Sequence, residues 1–249
     1  MNIAAIIPAR YHSTRFEGKP IVKIKGIPMI KRVYRQVEAS GKFPAAHIMV
    51  ATDDQRIASV VGAFGGNVVM TSPRCSSGSE RLWEVLESRD FDAVINIQGD
   101  EPIVSSELIA ALYDELSSSK NEVVTPAYYS NSYEDYLSRH VVKVVVDREF
   151  WALYFSRSPI PFIEKKTFTG FHHHIGMYGY LKDSLKRFIN LPSSPLETLE
   201  KLEQLRFLEN GIGIKVIQSQ YPSIGVDVPE DVEKVERILE DRGQGTEDR

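Results

Sequence analysis

The sequence predicts an α/β fold in which an open sheet with helical crossovers carries a smaller antiparallel region. In the first half of the chain, short apolar runs alternate with amphipathic segments, a pattern typical of strands joined by helices. From about Val141 adjacent strand-like runs follow one another, with Pro159, Pro161 and Gly170 in the loops between them, which indicates an antiparallel insertion. The length of 249 residues suits one large domain with such an insertion.

The first half supplies the elements of the main sheet. One helix is expected to begin at Pro28, a second to end at Gly65-Gly66, and two more to carry Leu82 and Leu108, because apolar residues recur there at helical spacing. The strands expected between them are the apolar runs at 3–7, 47–52, 68–70 and 93–98, with another beginning at 123.

The second half is expected to hold strands at 141–147, 151–155 and 173–181. A leucine-rich helix follows from Pro195 to Gly211, then a strand at 214–217 and a last helix at 232–239. The polar tail 240–249 is expected to be disordered. This gives a single domain over 1–239, in which about 141–190 form the inserted sub-domain.

Composition excludes several classes of protein. The net charge is −4, which argues against non-specific binding of nucleic acid. No apolar run reaches the roughly 18 residues of a membrane span, and no cationic segment precedes the first apolar stretch, so neither membrane insertion nor a signal peptide is expected. Cys75 is the only cysteine, so the chain has no internal disulfide. These features predict a cytoplasmic enzyme.

Three cations, Arg10, Arg15 and Lys19, follow the first apolar strand, together with the hydroxyl of Ser13. A loop at the carboxyl end of such a strand is where an open α/β sheet builds its ligand crevice. Several fixed cations at that point suit a polyphosphate. The alternative is a basic surface turn. The glycine spacing fits neither a Walker loop nor GxGxxG.

Two carboxylates are candidates for a metal site. Asp100 lies in the loop that follows the apolar strand at 93–98, and Mg²⁺ typically binds one or two carboxylates together with phosphate oxygens. Asp227 is the second candidate. The alternative for Asp100 is that it caps the next helix, and the alternative for Asp227 is that it favours the N-terminus of the last helix.

A loop rich in hydroxyl groups, with Thr71, Ser72 and the run 76–81, follows the third strand. Its hydroxyl and backbone N–H groups, with Arg81, could bind a pyrimidine and nearby phosphates. The alternative is an ordinary Ser/Gly turn that caps the helix of Leu82. Cys75 has no base near it in sequence and is taken as incidental.

His172, His173 and His174 cannot all bind one ion, since successive side chains of a strand point to opposite faces. One of them remains a candidate ligand-binding residue. Arg157 suits a carboxylate through paired hydrogen bonds, or is a surface arginine. Glu203 and Gln204 are polar residues in the leucine-rich helix, and they either face a cleft or lie on the exposed side of that helix.

Nine segments, in order along the chain, together resemble one family, CMP-KDO synthetase (3-deoxy-manno-octulosonate cytidylyltransferase). The resemblance runs from Ile6 to about Val235. The matching segments are IIPARYHSTRFEGKP (6–20), VATDD (50–54), SGSER (77–81), NIQGDEP (96–102), VKVVVD (142–147), ALYFSRSPIP (152–161), HIGMYGY (174–180), LEQLR (202–206) and GVDVPEDV (225–232).

The resemblance implies a Rossmann-like three-layer nucleotidyltransferase fold with a mixed, mostly parallel sheet and a small antiparallel sub-domain used in dimerisation. It implies Mg²⁺-dependent transfer of CMP from CTP to 3-deoxy-D-manno-octulosonate (KDO), with release of pyrophosphate, for lipopolysaccharide biosynthesis. It also implies a homodimer.

By the same resemblance, residue roles are expected as follows. The CTP phosphates contact Arg10, Ser13 and Lys19; the cytidine contacts Thr71, Ser72, Ser77, Gly78 and Arg81; Mg²⁺ binds Asp100 and Asp227; and the sugar acid contacts Gln98, Arg157, His174, Tyr178, Glu203 and Gln204. The catalytic set is Lys19, Asp100, Asp227 and Arg10. The chain departs from the family pattern at Ser79, where threonine is usual, and at Glu17, where proline is common.

Other interpretations stay open from the sequence. The same chemistry could act on 8-amino-KDO or on a sugar acid of the sialic type. A non-catalytic nucleotide-binding protein could share the fold. A sugar-1-phosphate nucleotidyltransferase would usually open with a GGxGTR-type loop, which this chain lacks.

Overall fold

The computed structural model describes residues 1–13, 15–75, 77–118, 121–222 and 224–241. The strands are β1 (Ile3–Ala9), β2 (Lys23–Ile24), β3 (Ile27–Pro28), β4 (Ile48–Thr52), β5 (Val68–Met70), β6 (Ala93–Asn96), β7 (Val123–Ser130), β8 (Lys143–Val146), β9 (Ala152–Ser156), β10 (Phe171–His174), β11 (Tyr178–Leu181) and β12 (Lys215–Ser219). The α-helices are α1 (Met29–Ala39), α2 (Gln55–Ala63), α3 (Gly78–Glu87), α4 (Ser106–Ser118), α5 (Tyr133–Leu137), α6 (Lys182–Asn190), α7 (Pro195–Glu200), α8 (Leu205–Glu209) and α9 (Glu230–Asp241).

The chain divides into two compact units. The first consists of Met1–Ala111 with Ser223–Arg249, and the second of Leu112–Pro222. In the first unit, β5, β4, β1 and β6 pair in that order, and every pair is parallel. Both the α/β class and the parallel sheet with helical crossovers are therefore confirmed.

Local sequence explains why the helices of the first unit begin where they do. Asp54 caps α2 by accepting a hydrogen bond from the Arg56 backbone N–H, and Ser77 caps α3 by accepting one from Glu80 N–H. Helix α1 begins directly after Pro28 and buries its apolar side chains, as the helical spacing predicted. These helices pack against the strands of the sheet, so the ends of the strands hold a fixed position.

The last helix of the chain packs back onto the first unit. Val226, Val235 and Leu239 share one apolar cluster with Ile24, Met29 and Ile103. The Lys25 backbone N–H also donates to Glu236 Oε1 at 2.7 Å. This packing brings the segment around Asp227 back to the part of the molecule that holds the N-terminal loop.

The second unit contains a mixed sheet around β7. Strand β12 runs parallel to β7, whereas β10 and β11 run antiparallel to it. Strands β8 and β9 continue the sheet beyond β10, also antiparallel. The antiparallel character predicted for this part of the chain is thus confirmed for β8, β9 and β10.

Two predicted elements of the second unit are each divided. The strand expected at 173–181 consists of β10 and β11, because the register against β7 shifts between them. His174 lies opposite Ala127 and Gly179 opposite Val124, so this segment has two extra residues, and the Met177 N–H bonds back to the Ile175 carbonyl at 2.8 Å. The helix expected from Pro195 to Gly211 consists of α7 and α8. Lys201 ends α7 in the left-handed conformation, with φ of 55°, which stops the helix.

Strands β2 and β3 and helices α5 and α6 were not predicted. The tail expected from residue 240 begins later, since α9 extends to Asp241, and residues 242–249 lie outside the described part, as do Thr14 and Ser76. A separate sub-domain at 141–190 stays a prediction. None of the helices described is long and apolar enough to cross a membrane.

Candidate functional site

A cleft of about 390 Å³ lies in the first unit, beside the carboxyl ends of β1 and β6. It is lined by Pro8, Ala9, Arg10, His12, Ser13, Lys19, Pro20, Gly78, Gln98, Gly99 and Asp100. The cleft therefore brings together residues from three of the segments singled out in the sequence: the N-terminal loop, the start of α3 and the loop after β6. Gln98, expected with the sugar acid, lines this cleft.

Lys19 is the charged centre of this site. Its ammonium lies 2.6 Å from Asp100 Oδ2 and 3.6 Å from Asp227 Oδ1. The Lys19 side chain is only 12% exposed, so its charge is shielded from water and its attraction to the two carboxylates is stronger than at an open surface. The structure thus places both predicted metal ligands against one cation.

The chain fold explains why Asp227 reaches Asp100 across 127 positions of sequence. Val226 N–H donates to the Asp100 carbonyl at 2.8 Å, which ties the two segments together. The Asp231 carboxylate accepts from the N–H groups of Asp227 and Val228 at 3.0 and 3.1 Å and fixes the turn. Asp231 therefore stabilises the turn before α9.

The N-terminal loop is held from both of its ends. Gly18 N–H donates to the Tyr11 carbonyl at 2.8 Å and closes the loop. Gly18 lies in the left-handed region with φ of 68°, and a Cβ there would lie 3.2 Å from the Tyr11 ring. The Arg56 guanidinium also contacts that ring, and its carbon lies 3.3 Å from the ring centroid. Arg10 Nη2 donates to the Cys75 carbonyl at 2.7 Å.

The Ser/Gly loop contains both the capping contacts and the buried cation. Ser77 caps α3, and Ser72 N–H donates to the Glu84 carboxylate at 2.9 Å. Arg81 is fully buried; it donates to the Thr71 hydroxyl, and its Nη2 lies 3.2 Å from Asp53 Oδ2. Thr71, Ser77 and Arg81 are thus brought into one region by α3, while their contact with cytidine stays a prediction.

A second group of predicted residues lies in the second unit. His174 is buried, and its Nε2 lies 3.0 Å from the Thr125 hydroxyl. Burial, with a smaller effect of His173, lowers the pKa of His174 to about 3, so the ring is neutral at ordinary pH. The Tyr178 ring centroid lies 5.4 Å from that of His174. Burial raises the pKa of Tyr178 well above its usual value.

The Tyr178 hydroxyl is buried and makes no hydrogen bond of regular geometry with the described residues. A buried polar group without a partner costs free energy unless something else binds it. Glu203 is close enough to Tyr178 to raise its pKa further, and the adjacent Gln204 is buried at the start of α8. His174, Tyr178 and Glu203 therefore lie near one another in the second unit, and Gln204 follows Glu203 in the chain.

Arg157 lies at the end of β9 and is half-buried. Its Nε donates to the Glu200 carbonyl at 3.0 Å and its Nη1 to the Arg139 carbonyl at 3.2 Å. Both bonds go to backbone oxygens, and the salt bridges found in the described residues include none to this guanidinium. Its remaining N–H groups suit an external carboxylate.

Within the described residues, no group of three or more histidine, cysteine, aspartate or glutamate side chains could hold a metal ion by itself. The three histidines of β10 point to alternate sides, as expected: His173 contacts Tyr128 and His174 contacts Thr125. Asp100 and Asp227 remain the pair of carboxylates able to bind a cation, with further oxygens supplied by a ligand.

Sequence reasoning missed three residues that shape these sites. Tyr11 and Arg56 support the N-terminal loop, and Thr125 contacts His174. The Asp54-Gln55-Arg56 start of α2 offered a weak signal, because an arginine just after a capping aspartate lies near the carboxyl ends of the strands. No sequence pattern indicated Thr125, since its contact depends on the register of β7 with β10.

A family model described as Cytidylyltransferase matches residues 4–217 of the chain. Two curated relatives are both named 3-deoxy-manno-octulosonate cytidylyltransferase. The protein from Thermodesulfovibrio yellowstonii is 44% identical, with 96% of this chain and 98% of the relative covered. The protein from Syntrophobacter fumaroxidans is 47% identical, with 96% and 97% covered.

A solved structure of CMP:2-keto-3-deoxy-manno-octonic acid synthetase complexed with CTP has a TM-score of 0.89 and 36% identity, with 97% of this chain and 100% of that chain covered. A 4-diphosphocytidyl-2C-methyl-D-erythritol synthase from Anaerococcus prevotii shares the fold alone, at 16% identity and a TM-score of 0.64. From the family model, the full-length curated relatives and this structural match, the chain belongs to the CMP-KDO synthetase (3-deoxy-manno-octulosonate cytidylyltransferase) family of nucleotidyltransferases.

Proposed function

We propose that this protein transfers CMP from CTP to KDO and releases pyrophosphate, with Mg²⁺ as the cofactor. The observation that carries the proposal is the position of the Lys19 ammonium beside Asp100 and Asp227, in a cleft that also contains Arg10 and Ser13. This set combines cations for a triphosphate with carboxylates for a divalent ion. The relatives named for the same reaction along their whole length support it further.

In this reaction the anomeric hydroxyl of the sugar acid attacks the α-phosphorus of CTP. The new O–P bond forms as the bond from the α-phosphorus to the bridging oxygen breaks, pyrophosphate leaves with the electron pair of that bond, and the hydroxyl proton passes to water. Arg10 and Lys19 would bind the phosphates and stabilise the charge that develops on them. The hydroxyl of Ser13 would donate to a phosphate oxygen. No protein nucleophile is required, because holding the reactants in line supplies much of the catalysis.

The donor set fits Mg²⁺. Asp100 and Asp227 both present carboxylate oxygens to the Lys19 ammonium. Carboxylate oxygens are hard ligands, and one or two carboxylates with substrate phosphates are the usual surroundings of Mg²⁺. Both residues would hold the metal, which when bound would withdraw electron density from the reacting oxygens and neutralise the triphosphate.

The sugar acid would use polar residues of the second unit. Arg157 would pair with its carboxylate, and the unpartnered Tyr178 hydroxyl would bond to one of its hydroxyl groups. His174, Glu203 and Gln204 would contribute further polar contacts. Thr71, Ser72, Ser77, Gly78 and Arg81 would surround the cytidine.

We also propose that the protein is a homodimer formed through the second unit. Leu137, Leu153, Phe162 and Leu199, all of that unit, are more than half exposed, and Phe162 is 88% exposed. Exposed large apolar side chains favour association. Sedimentation of a Leu153→Ser, Phe162→Ser variant should give a monomer; Met70→Ser, an exposed apolar residue of the first unit, is the control. A dimer that survives the double substitution would contradict this interface.

Because CTP and the product nucleotide sugar belong to cytoplasmic metabolism, we place the reaction in the cytoplasm, as a supply step for lipopolysaccharide assembly. The deciding experiment measures pyrophosphate release with CTP and Mg²⁺ in parallel with KDO, 8-amino-KDO and sialic acid. Release fastest with KDO supports the proposal. Release only with another acid changes the substrate, and no release from folded, CTP-binding protein rejects the activity.

A further inference from the structure

Lys143, on β8, is a lysine buried completely within the second unit, with 0% of its surface exposed. Its ammonium donates three hydrogen bonds, to the carbonyls of Ser138 at 2.6 Å, Val141 at 2.9 Å and Arg157 at 2.7 Å. A lysine ammonium has three N–H groups, so every donor is used. Among the described residues, no carboxylate lies within 4 Å of it.

The three acceptors come from two separate segments. Ser138 and Val141 belong to the turn that follows α5, where Val141 N–H also bonds to the Ser138 carbonyl at 3.3 Å. The Arg157 carbonyl belongs to the end of β9. The ammonium of Lys143 is therefore a buried cross-link between this turn and Arg157, the residue that follows β9.

The turn also holds the side chain of Arg157, together with the end of α7. Its Nη1 donates to the carbonyl of Arg139, within the turn, and its Nε donates to the carbonyl of Glu200. The Glu200 carboxylate in turn accepts from Arg157 N–H at 2.9 Å. Because the turn supplies acceptors both to Lys143 and to Arg157, a shift of the turn would move the guanidinium.

Keeping a cation at this position is unfavourable. Burial lowers the pKa of Lys143 to about 8, and the positive charge of Arg157 acts in the same direction, while Glu200 opposes it. His173 pairs directly opposite Lys143 in the sheet, and burial holds it neutral at ordinary pH. An apolar side chain would avoid this cost but would leave the three carbonyls without their donor, so what Lys143 supplies here is the link between the segments that carry them.

We propose that Lys143 is a positioning residue, whose buried ammonium fixes the turn at 138–141 against the end of β9 and so orients the Arg157 guanidinium toward the carboxylate of the sugar acid. The proposal rests on the proposed function, in which Arg157 binds that carboxylate. Lys143 itself does not contact the substrate; it acts on binding of the sugar acid and not on binding of CTP.

The test compares steady-state kinetics of Lys143→Met, Arg157→Ala and the double variant. We expect Lys143→Met to raise KM for the sugar acid about 10-fold, with KM for CTP and kcat changed less than about 2-fold. In the double variant, KM should equal that of Arg157→Ala within about 2-fold, since both changes remove one interaction. The proposal would be overturned if the double variant raised KM for the sugar acid by the product of the two single increases. Equal increases in KM for CTP and for the sugar acid in Lys143→Met would also overturn it.

Lys215→Met is the matched control, because Lys215 is a lysine of the same unit whose ammonium also donates to a backbone carbonyl, that of Glu149. It should leave both KM values unchanged. If Lys143→Met does not fold, Lys143→Gln, which keeps two N–H donors, should raise KM for the sugar acid by a smaller factor, and a folded Gln variant with unchanged KM rejects the idea. Turnover by the wild-type protein separates the two claims. If the wild-type protein has no turnover, the proposed function fails and the role of Lys143 fails with it. If the wild-type protein turns over and the Lys143 variants keep wild-type KM values, only the role of Lys143 is rejected.

Discussion

The Lys19 ammonium lies 2.6 Å from the carboxylate of Asp100, a residue 81 positions further along the chain. Each of them ends or follows a strand of one parallel sheet, β1 for Lys19 and β6 for Asp100, and β1 pairs directly with β6. Carboxyl ends of neighbouring parallel strands meet at one edge of a sheet, which is where such sheets bind ligands. The pair therefore combines the two charges that a metal–triphosphate complex needs at its binding site.

Asp100→Asn should lower kcat at least about 100-fold while leaving the folded protein intact. The substitution removes one metal-binding charge and leaves Lys19 facing a neutral amide, but it preserves the shape of the side chain. Pyrophosphate release at saturating CTP and KDO measures the effect, and circular dichroism checks the fold. Asp183→Asn, an exposed aspartate at the start of α6, is the control and should retain full activity. Normal turnover by Asp100→Asn would remove Asp100 from the metal site.

Gly18→Ala should weaken CTP binding and lower the free energy of unfolding by about 1–2 kcal/mol. The φ of Gly18 is 68°, and the new Cβ would press on the Tyr11 ring. The Arg56 guanidinium also contacts this ring, so the ring is not free to move away. Gly41→Ala is a matched control, since φ there is 66° and no heavy atom would lie within 4 Å of the added Cβ. Both variants bear the backbone cost, so only Gly18→Ala should change the Kd for CTP in calorimetry. Equal Kd values would mean that the loop tolerates a shift of Tyr11.

Thr125 should fix the protonated nitrogen of His174. The Thr125 hydroxyl has one proton, and it donates that proton to the Met177 carbonyl at 2.7 Å. His174 Nε2, 3.0 Å away, must then be the donor to the hydroxyl oxygen. Nitrogen-15 NMR should show the Nε2–H form in the wild-type protein and in Thr125→Ser.

In Thr125→Val the Met177 carbonyl and the His174 N–H would both lose their partner. We expect this variant to lose about 2–6 kcal/mol of unfolding free energy, at roughly 1–3 kcal/mol for each buried unsatisfied group. KM for KDO should rise as well. A His174 found in the Nδ1–H form in the wild-type protein would show that the assignment of donor and acceptor is reversed.

Acid should destabilise the protein through the histidines of β10. Burial lowers the pKa of His173 to about 4 and that of His174 to about 3. Below pH 6.5 the unfolded chain therefore binds more protons than the folded one. The free energy of unfolding has its full value, as far as these two rings are concerned, above pH 6.5 and falls as the pH drops towards 4. Each ring should contribute a loss on the order of 2–3 kcal/mol by pH 4.5.

Denaturant unfolding between pH 7 and 4.5 measures this slope. His173→Gln and His174→Gln should each have a smaller slope than the wild-type protein, whatever their stability at pH 7. His140→Gln, at an exposed histidine, should keep the wild-type slope. Identical slopes in all four proteins would place the acid sensitivity in other groups.

Much of the fold followed from local patterns. Alternating apolar runs and amphipathic segments predicted β1, β4, β5, β6 and the helices between them, because burial of one face imposes a period on the sequence. The same patterns could not divide 173–181 into β10 and β11. That break depends on the register of the segment against β7, which shifts by two residues between His174 and Gly179 and which no local period records. Helix α5 and strands β2 and β3 are too short to show a period at all.

The sequence by itself determined the chemical groups of the site: the cations of the N-terminal loop, the carboxylate after β6 and the motifs that resemble CMP-KDO synthetases. Only the tertiary structure decided which of them meet. Asp227 reaches Lys19 because α9 packs on the apolar cluster of the first unit and Val226 bonds to the Asp100 carbonyl. Lys143 looks like one more strand residue in VKVVVD, yet its ammonium is buried against three carbonyls. Sequence spacing describes neighbours along the chain, whereas such contacts arise from burial and hydrogen bonding between segments that folding alone brings together.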